Sequence, residues 1–446
     1  MANEKNSLAG RVARYARVST TVGGLAARMA GERYLGLKID RDAHARALRE
    51  ALGGLKGPLM KVAQLLATIP EAIPQEYVAE LSQLQADAPP MGWPFVRRRM
   101  RAELGPDWES QFASFEHEAA AAASLGQVHR AKGRDGTLLA CKLQYPDMQS
   151  AVEADLRQLK LILGIFERYD RAVSTSKVHE EISERLREEL DYDREGRNMA
   201  LYGDILAREK GVFVPERVDA LSTGRLLTMN WLDGRKILDA VADRPDLAKS
   251  IALNMFRAWY VPFYRYGVLH GDPHLGNYTV RPDGTINLLD FGCVRIFKAP
   301  FVKAVIDLYR ALQQNDQELA AEAYRTWGFG KLNKEVVGIL NIWARFIYES
   351  LLEDRPRLIG ETKNGVYGRE TAAKVHRELV RVGGVDVPRE FVFMDRATLG
   401  LGSVFIHLRA EVNWHRIFEE LIADFDVAQM AKRQAKVLTK NGIRSP

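Results

Sequence analysis

The pattern of hydrophobic and polar positions changes twice along this chain of 446 residues. Up to about residue 90, apolar residues recur at helical spacing, and prolines such as Pro70 and Pro74 interrupt them. Proline ends helices because it has no amide hydrogen to donate and because its ring clashes with the preceding turn. The sequence therefore predicts a small helical module over residues 1–90.

Strand-like patterns dominate the next part of the chain, residues 91–234. The stretch "SLGQVHRAKGRDGTLLACKLQYP" reads as two strands around a tight turn at Asp135 and Gly136, which is a common hairpin signal. The stretch "VFVPERVDALSTGRLLTMNWLDG" returns to strand-like runs. Residues from 150 to about 210 are helical in pattern and heavily charged, so we predict a strand-rich lobe that carries a long helical insertion.

From residue 235 to residue 446 the pattern is predominantly helical. One segment interrupts it, "GVLHGDPHLGNYTVRPDGTINLLDFGCVR" at residues 267–295, in which two short strands flank the turn Pro282-Asp283-Gly284. The three parts together predict an α+β chain with two lobes. We expect a small strand-rich N-terminal lobe and a large helical C-terminal lobe, preceded by a helical extension.

Composition narrows the class of protein. Hydrophobic residues make up 46% of the chain, and the net charge of +6 is too small to predict a nucleic-acid binder. The two cysteines, Cys141 and Cys293, are too few for a disulfide scaffold and fit a reducing, cytoplasmic environment. The longest uncharged run, residues 397–408, is shorter than the ~18–20 residues that span a bilayer, so no transmembrane helix is predicted.

Basic clusters leave the surface chemistry open. Arginines three apart within residues 8–35 fit either a solvated helix face or a basic surface for anionic lipid, so peripheral membrane contact is one of the expectations. The run "RRRMR" at residues 97–101 lacks interleaved aromatic residues, which favours a solvated helix face over a nucleic-acid contact.

Three polar residues in the interrupting segment indicate phosphoryl-transfer chemistry, which uses a carboxylate to orient the acceptor and oxygen ligands to hold magnesium. His270, Asp272 and Asn277 follow the kinase catalytic-loop pattern H-x-D-x-x-x-x-N, and Asp290 opens the D-F-G pattern. A turn Asp and a strand-end Asp would not account for both spacings. We therefore predict ATP and Mg²⁺ as cofactors, Asp272 as the base, and Asn277 and Asp290 as metal ligands.

A kinase site also needs a lysine on an inner strand that contacts the phosphates. Lys142 in "LLACKLQYP" lies among apolar neighbours, where its ammonium needs a carboxylate partner, and Glu195 is our candidate. The alternative is that Lys142 extends its charge to solvent and that Glu195 is an ordinary exposed helix charge.

Further nucleotide contacts are predicted from an alanine run and from a hinge. Residues 119–123 are all alanine, where protein kinases use glycine to approach the phosphates, so we expect different phosphate contacts unless the run is a packed helix end. "MNWLDG" at residues 229–234 lies where a hinge would present backbone groups to adenine. Besides Lys142, the predicted contacts are Ala123, Ser124, Gly126, Gln127, Met229 and Trp231.

Four motifs resemble those of the UbiB or AarF family, the ABC1/ADCK-like atypical kinase-like proteins. "KVAQ" at residues 61–64 resembles the family's K-x-G-Q, and "AAAAASLGQVH" at residues 119–129 resembles its alanine-rich loop. "ELD" at residues 189–191 resembles its E-x-D, and "DPHLGN" with "DFG" resembles its catalytic and metal segments. The resemblance covers residues from about 50 to 300.

The resemblance implies further roles. Lys61 and Gln64 would belong to an N-terminal extension folded over the active site, and Glu189 and Asp191 would contact that extension or the metal. Ala63 stands where the family has glycine and adds a methyl group. The implied activity is that of a magnesium-dependent ATPase, or of a phosphotransferase acting on a small or lipid-related molecule, in support of ubiquinone, other quinone or isoprenoid lipid metabolism. Adenine nucleotide and a lipid or quinone precursor are the implied partners.

Two alternatives remain. "HGDPHLGN" also resembles the loop of the soluble aminoglycoside and choline kinases, although these are expected to lack "KVAQ" and the alanine run. A pseudokinase, in which the nucleotide pocket is a conformational switch for a protein partner, is the other. "CVRIFKAPFVKAVIDL" comes after the D-F-G pattern without Ser, Thr or Tyr, which argues against a protein-kinase activation segment and protein substrates.

Overall fold

A computed structural model describes residues 91–122, 125–146, 148–169, 175–330, 332–360, 365–385 and 387–446. The predicted module over residues 1–90, with Lys61, Ala63 and Gln64, lies outside the described residues, and so do Ala123 and Ser124 of the alanine run.

Helices account for most of the described chain. They are α1 (Trp93–Leu104), α2 (Met148–Tyr169), α3 (Thr175–Glu189), α4 (Tyr192–Leu206), α5 (Ile237–Asp243), α6 (Ala248–Tyr266), α7 (Ala299–Gln314), α8 (Gln317–Trp327), α9 (Lys334–Tyr348), α10 (Gly365–Arg381), α11 (Arg389–Leu408), α12 (Trp414–Ile422) and α13 (Val427–Lys440). The strands are β1 (Phe112–Ala122), β2 (Gly126–Gly133), β3 (Leu138–Gln144), β4 (Val212–Phe213), β5 (Leu226–Asn230), β6 (Arg235–Lys236), β7 (Val268–His270), β8 (Tyr278–Val280), β9 (Ile286–Leu288) and β10 (Val294–Ile296).

The chain divides into two compact units. Unit 1 runs to Arg194 and includes Val218–Trp231, and unit 2 comprises Glu195–Arg217 and Leu232–Pro446. The predicted three-part division, with boundaries at residues 90 and 234, stays a prediction. The predicted helical insertion is present as α2, α3 and α4, but α4 passes from unit 1 into unit 2 at Glu195.

Unit 1 is built on an antiparallel sheet in the order β1-β2-β3-β5. The predicted hairpin is confirmed, because β2 pairs with β3 and Gly136 has the positive φ of 87° that glycine adopts without strain. Helix α1 begins with a proline in its first turn, and it buries Val96 and Met100 against Trp108 and against Cys141 and other residues of the sheet. The arginines at positions 97, 98 and 101 lie exposed, as predicted for a solvated helix face.

Unit 2 is organised around α6, which buries an almost continuous face that includes Phe256, Trp259 and Phe263. A four-stranded sheet, in the order β4-β9-β8-β6, and the two-stranded ribbon of β7 and β10 pack beside it. Helix α6 ends at Gly267, which has φ of 65° and whose Cα lies so close to the Phe297 carbonyl that a Cβ would be 2.4 Å from that oxygen. Glycine is therefore required where α6 turns into β7.

Among the helices that the structure describes, α11 is the one that is long and apolar enough to cross a membrane, judged by length and composition alone. Within its most apolar stretch of 18 residues, 29% is buried inside the protein. Core helices of other proteins pass the same test. Its buried residues Ala397, Leu401, Val404, Phe405 and Leu408 follow helical spacing and form one stripe against unit 2.

An internal cavity of about 70 Å³ lies between α6, α7, α8, α9 and α11 of unit 2. Asp395 of α11 faces it and accepts a hydrogen bond from Trp343 Nε1 at 2.8 Å. Burial raises the pKa of the Asp395 carboxyl to about 6, and the indole hydrogen bond acts in the opposite direction.

We expect replacement of Asp395 by Asn to stabilise the protein at neutral pH. The folded-state pKa of Asp395 lies above its ordinary value of 3.8, so the carboxyl lowers the free energy of unfolding increasingly as the pH rises through that window, and fully above it. Asp395→Asn should therefore match the wild type near pH 4 and exceed it by about 1–3 kcal/mol at pH 7. Urea unfolding from pH 4 to pH 8 measures this difference.

Asp283→Asn provides a control of opposite sign. Asp283 is exposed, and hydrogen bonds from Thr285 hold its pKa below the ordinary value. Its contribution to stability is present above the unfolded-state pKa and is lost as the pH falls, so this variant should gain nothing at pH 7. An Asp395→Asn variant that is less stable than the wild type at pH 7 contradicts the assignment of a buried, poorly solvated carboxylate.

Candidate nucleotide and metal site

The two polar motifs of unit 2 lie side by side on adjacent strands. The catalytic-loop motif comes after β7, and the D-F-G motif comes after β9 and precedes β10, which pairs with β7 in antiparallel register. The Leu289 amide donates to the Asn277 carbonyl at 2.9 Å, and the Gly271 amide donates to the Cys293 carbonyl at 2.6 Å. These bonds bring Asn277 next to Asp290, and they hold the chain beside Asp272 to the end of the D-F-G motif.

His270 joins the two motifs through its side chain. Its Nε2 lies 2.6 Å from the Asp290 carbonyl, and its Nδ1 lies 3.3 Å from the Asp272 amide nitrogen. Because a carbonyl only accepts and an amide N–H only donates, Nε2 carries the proton and Nδ1 accepts. The imidazole is fully buried, and the rings of Tyr202 and Trp259 lie within 6.0 Å of it. The His270 side chain thus supports the backbone of both motifs.

Asn277 is oriented by Asp272. Its Nδ2 donates to the Asp272 carbonyl at 3.0 Å and to Asp272 Oδ2 at 3.2 Å. Since both partners are acceptors, the amide nitrogen faces Asp272 and the amide oxygen Oδ1 faces away from it. Asp272 itself is exposed, whereas Asn277 is partly buried. The loop therefore presents an accessible carboxylate and an oriented amide oxygen.

Asp290 is oriented by its own turn. Its Oδ1 accepts from the Gly292 amide at 3.0 Å, and the next carbonyl, that of Phe291, accepts from Asn198 Nδ2 at 3.0 Å. An amide oxygen and a carboxylate on adjacent strands are the hard oxygen ligands that Mg²⁺ prefers, and magnesium completes its shell with water and phosphate oxygens. The predicted ligands Asn277 and Asp290 thus have the ligand types that magnesium prefers, and their binding of a metal stays a prediction.

The pKa of Tyr278 reflects its burial and the negative charges of the two motifs. Burial is the main reason why the pKa of Tyr278 is raised far above its usual range, and the nearby carboxylates of Asp272 and Asp290 raise it further. Its hydroxyl accepts a hydrogen bond from Trp259 Nε1 at 2.9 Å. His274 is exposed, and its Nδ1 accepts a hydrogen bond from the Gly276 amide, which caps the short turn Leu275–Asn277.

Lys142 occupies the middle of the sheet of unit 1. It lies on β3 between Val128 of β2 and Leu227 of β5, and its side chain is partly buried. Its ammonium lies 5.3 Å from the centre of the Tyr192 ring, which is an attractive cation–π arrangement. The inner-strand position predicted from the sequence is observed. Glu195, buried on α4, belongs to unit 2, so its ion pair with Lys142 stays a prediction.

Gly126 and Gln127 come after the alanine run at the start of β2. A Cβ on Gly126 would lie 2.3 Å from the Leu143 carbonyl and 2.9 Å from the Tyr192 hydroxyl, so glycine is required for this close approach. The Gln127 side chain is buried and bonds the Met91 backbone through both of its amide atoms. Their roles as nucleotide contacts stay predictions.

The hinge residues lie at the end of β5. Met229 is buried opposite Ala140, and the Trp231 amide donates to the Leu138 carbonyl at 2.8 Å. The guanidinium of Arg130 lies 5.0 Å from the centre of the Trp231 ring. Contacts of Met229 and Trp231 with adenine stay predictions.

The E-x-D motif bridges α3 and α4. Asp191 is exposed and its Oδ1 accepts from the Arg194 amide at 2.8 Å, which caps the start of α4. Glu189, at the end of α3, is partly buried. Contacts of Glu189 and Asp191 with an extension or a metal stay predictions.

Sequence reasoning missed three residues of this region: Tyr192, Asn198 and Gln144. Gln144 is buried and donates to the Leu190 carbonyl at 2.6 Å, which ties the E-x-D motif to β3. Asn198 lies three positions after Glu195 on α4 and shares its face, so helical spacing would have indicated it. No signal in the sequence distinguishes Tyr192 from an ordinary core tyrosine.

We expect His270→Phe to destabilise the protein by about 2–4 kcal/mol, because both imidazole hydrogen bonds, to the Asp290 carbonyl and from the Asp272 amide, would be lost. The aromatic surroundings accommodate a phenyl ring of similar size. Equilibrium unfolding in urea measures the difference.

Tyr202→Phe is the matched control. The Tyr202 ring contacts both His270 and Phe291, and among the described residues its buried hydroxyl has no hydrogen-bond partner. Removing that hydroxyl should leave the free energy of unfolding unchanged or raise it. Equal losses in the free energy of unfolding for the two variants would show that the packing of the aromatic rings around His270, and not the two imidazole hydrogen bonds, holds the motifs together.

The chain is similar to known proteins in sequence and in structure. A family model described as the ABC1 atypical kinase-like domain matches residues 83–324. The chain is 33% identical over 283 residues to Protein ACTIVITY OF BC1 COMPLEX KINASE 7, chloroplastic, of Arabidopsis thaliana, a match that covers 63% of this chain and 41% of that protein. It is 28% identical over 299 residues to Atypical kinase coq-8, mitochondrial, of Caenorhabditis elegans, which covers 65% of this chain and 39% of that protein.

A solved structure is similar over most of the chain. Rv3197 of Mycobacterium tuberculosis, solved as a complex with erythromycin, is 26% identical with a TM-score of 0.59, and the match covers 86% of this chain and 96% of that one. The likeness confirms the predicted α+β, kinase-like fold class. The two curated relatives are longer proteins, of which the chain spans 41% and 39%. From the family model and the matching motifs, the chain belongs to the ABC1 atypical kinase-like family, also called UbiB or AarF.

Proposed function

We propose that the chain binds ATP with Mg²⁺ and either hydrolyses ATP or transfers its terminal phosphoryl group to a small, lipid-related acceptor. The observation that carries the proposal is the joining of the two motifs in unit 2. His270 bonds the Asp290 carbonyl and the Asp272 amide, and Leu289 bonds Asn277, so base and metal ligands share one rigid frame. The relatives named as atypical kinases support the same class of enzyme.

Each residue then has a defined task. Asp272, exposed and held by Asn277, accepts a proton from an acceptor hydroxyl or orients a water molecule. Asn277 Oδ1 and the Asp290 carboxylate provide the oxygen ligands for magnesium, which when bound neutralises charge on the phosphates. Lys142, on the inner strand of unit 1, is the residue that contacts the phosphates in this proposal.

The choice of acceptor rests on the family of the relatives and on the short segment after the D-F-G motif. Residues 294–296 form β10, and α7 begins at Ala299, so the chain passes almost directly from Asp290-Phe291-Gly292 into a helix. A long peptide-docking segment has no room there, which disfavours protein substrates. We propose support of quinone or isoprenoid lipid metabolism, with the protein cytoplasmic and peripheral to a membrane.

Asp290→Asn should abolish magnesium-dependent turnover. Loss of the charged metal ligand removes most of the stabilisation of the phosphates, and we expect ATP hydrolysis to fall by at least ~100-fold. Hydrolysis is measured with and without Mg²⁺, anionic liposomes and a quinone-precursor phenol. Lipid or phenol should raise wild-type turnover.

Asp283→Asn is the matched control, since Asp283 is an exposed carboxylate at the tip of the β8–β9 hairpin and lies outside the proposed site. It should retain wild-type turnover. Equal activity of Asp290→Asn and wild type contradicts the proposal. Lipid-independent phosphorylation of an amino alcohol or aminocyclitol would instead indicate a soluble small-molecule kinase, and nucleotide binding without turnover would indicate a pseudokinase.

A further inference from the structure

The internal cavity of unit 2 has aromatic walls. Trp259, Tyr260 and Tyr264 of α6 face it from one side, and Trp327 of α8 and Trp343 of α9 face it from others. Aliphatic residues of α7, α9 and α11 complete the lining. An aromatic ring whose face is turned to a cation attracts it, so an aromatic lining of this kind is compatible with a positively charged occupant.

Polar groups around the cavity are mostly satisfied by the protein itself. Tyr324 donates to Asn341 Oδ1, Tyr348 donates to the Val305 carbonyl, and Thr398 donates to the Met394 carbonyl. The indoles of Trp259 and Trp327 donate to Tyr278 Oη and to the Phe301 carbonyl. These side chains therefore shape the cavity and have little left to offer a ligand.

Asp395 differs from these side chains in its charge. Among the described residues that line the cavity it is the only one that carries a charge near neutral pH, and none of them is Lys, Arg or His. Its single hydrogen-bond partner in the described part of the chain is Trp343 Nε1. A carboxylate placed in an apolar site without a cation is costly, whereas a paired one is tolerated. The site is thus complementary to a positive charge.

The volume of the cavity limits the size of the group that can carry the positive charge. The volume of about 70 Å³ lies well above the ~10–15 Å³ that one water molecule needs and below the ~150 Å³ of a cavity that holds benzene. Trp343, Ile347, Met394 and Asp395 are partly exposed, which indicates that the cavity opens between α9 and α11. A small alkylammonium group fits this volume, and a longer substituent could leave through the opening.

We propose that this cavity binds an organic ammonium ion, with its charge paired to Asp395 and its alkyl carbons packed on the faces of Trp343, Tyr264 and the neighbouring rings. Aromatic rings and a carboxylate together favour an ammonium group over a neutral group of the same shape, because both interactions are electrostatic and both act in a desolvated site. The proposal does not depend on ATP turnover.

The test compares n-butylammonium with 1-butanol, which has the same carbon chain and no charge. Binding to the full chain is followed by calorimetry and by tryptophan fluorescence at 150 mM salt and pH 7.5, in phosphate buffer because Tris is itself an amine. We expect saturable binding of n-butylammonium that is at least tenfold tighter than that of 1-butanol. Equal binding of both probes, or no binding of either, overturns the proposal.

Variants locate the binding. Asp395→Asn, which should fold at least as stably as the wild type, is expected to lose at least tenfold in affinity for n-butylammonium and none for 1-butanol. Asp424→Asn removes a charge from an exposed position of the same unit and should bind as the wild type does. Unchanged affinity of Asp395→Asn contradicts the proposal.

A cavity-filling variant separates occupancy of this cavity from binding to the surface. Ala344 is buried and lines the cavity, so Ala344→Leu should exclude both probes. Thermal unfolding of each variant verifies that it is folded before its affinity is compared. Retained n-butylammonium binding in a folded Ala344→Leu variant would place the ligand elsewhere and overturn the proposal.

Discussion

The imidazole of His270 is the contact on which the candidate site depends. It is fully buried and bonds one backbone group of each motif, the Asp272 amide and the Asp290 carbonyl. A buried imidazole with both nitrogens paired has one tautomer and one orientation, because any rotation would leave two polar groups unsatisfied. The relative positions of the backbone at Asp272 and at Asp290 result from this. Catalytic groups need such support because small displacements of a reacting group are costly in rate.

Sequence reasoning found the parts of the fold that local chemistry determines. The Asp135-Gly136 turn needed a positive φ, and the structure forms the hairpin there. The spacing of Asp272, Asn277 and Asp290 implied one site, and backbone bonds bring their segments together. Helical periodicity showed which residues of the late helices are buried but not which of them enclose a cavity. The cavity and the position of Asp395 in it depend on which helices pack against each other. The hydrophobic pattern of a single helix does not contain this information.

In unit 1, strands β2 and β3 approach each other closely at Gly126. Gly126 brings β2 against β3 and leaves space for the Tyr192 hydroxyl, and the ring of Tyr192 in turn lies over Lys142. Gln144, on the same strand as Lys142, bonds the Leu190 carbonyl and so fixes where α4 begins. Only the tertiary structure brings the Tyr192 ring next to the predicted lysine. This explains why sequence spacing located Lys142 and gave no sign of Tyr192.

Three aspartates of unit 2 have the same side chain and different surroundings, and we expect different roles for them. Asp272 is exposed and oriented by an amide, Asp290 is oriented by its own turn, and Asp395 lies in an aromatic cavity with one indole as its partner. The first two lie where solvation or a metal can balance their charge. Asp395 has no such balance within the described lining of its cavity, and an apolar residue of similar size there would give a more stable fold. Groups that lower the stability of their own fold are typical of functional sites, so the destabilisation that we expect from Asp395 agrees with the ligand-binding role that we propose for it.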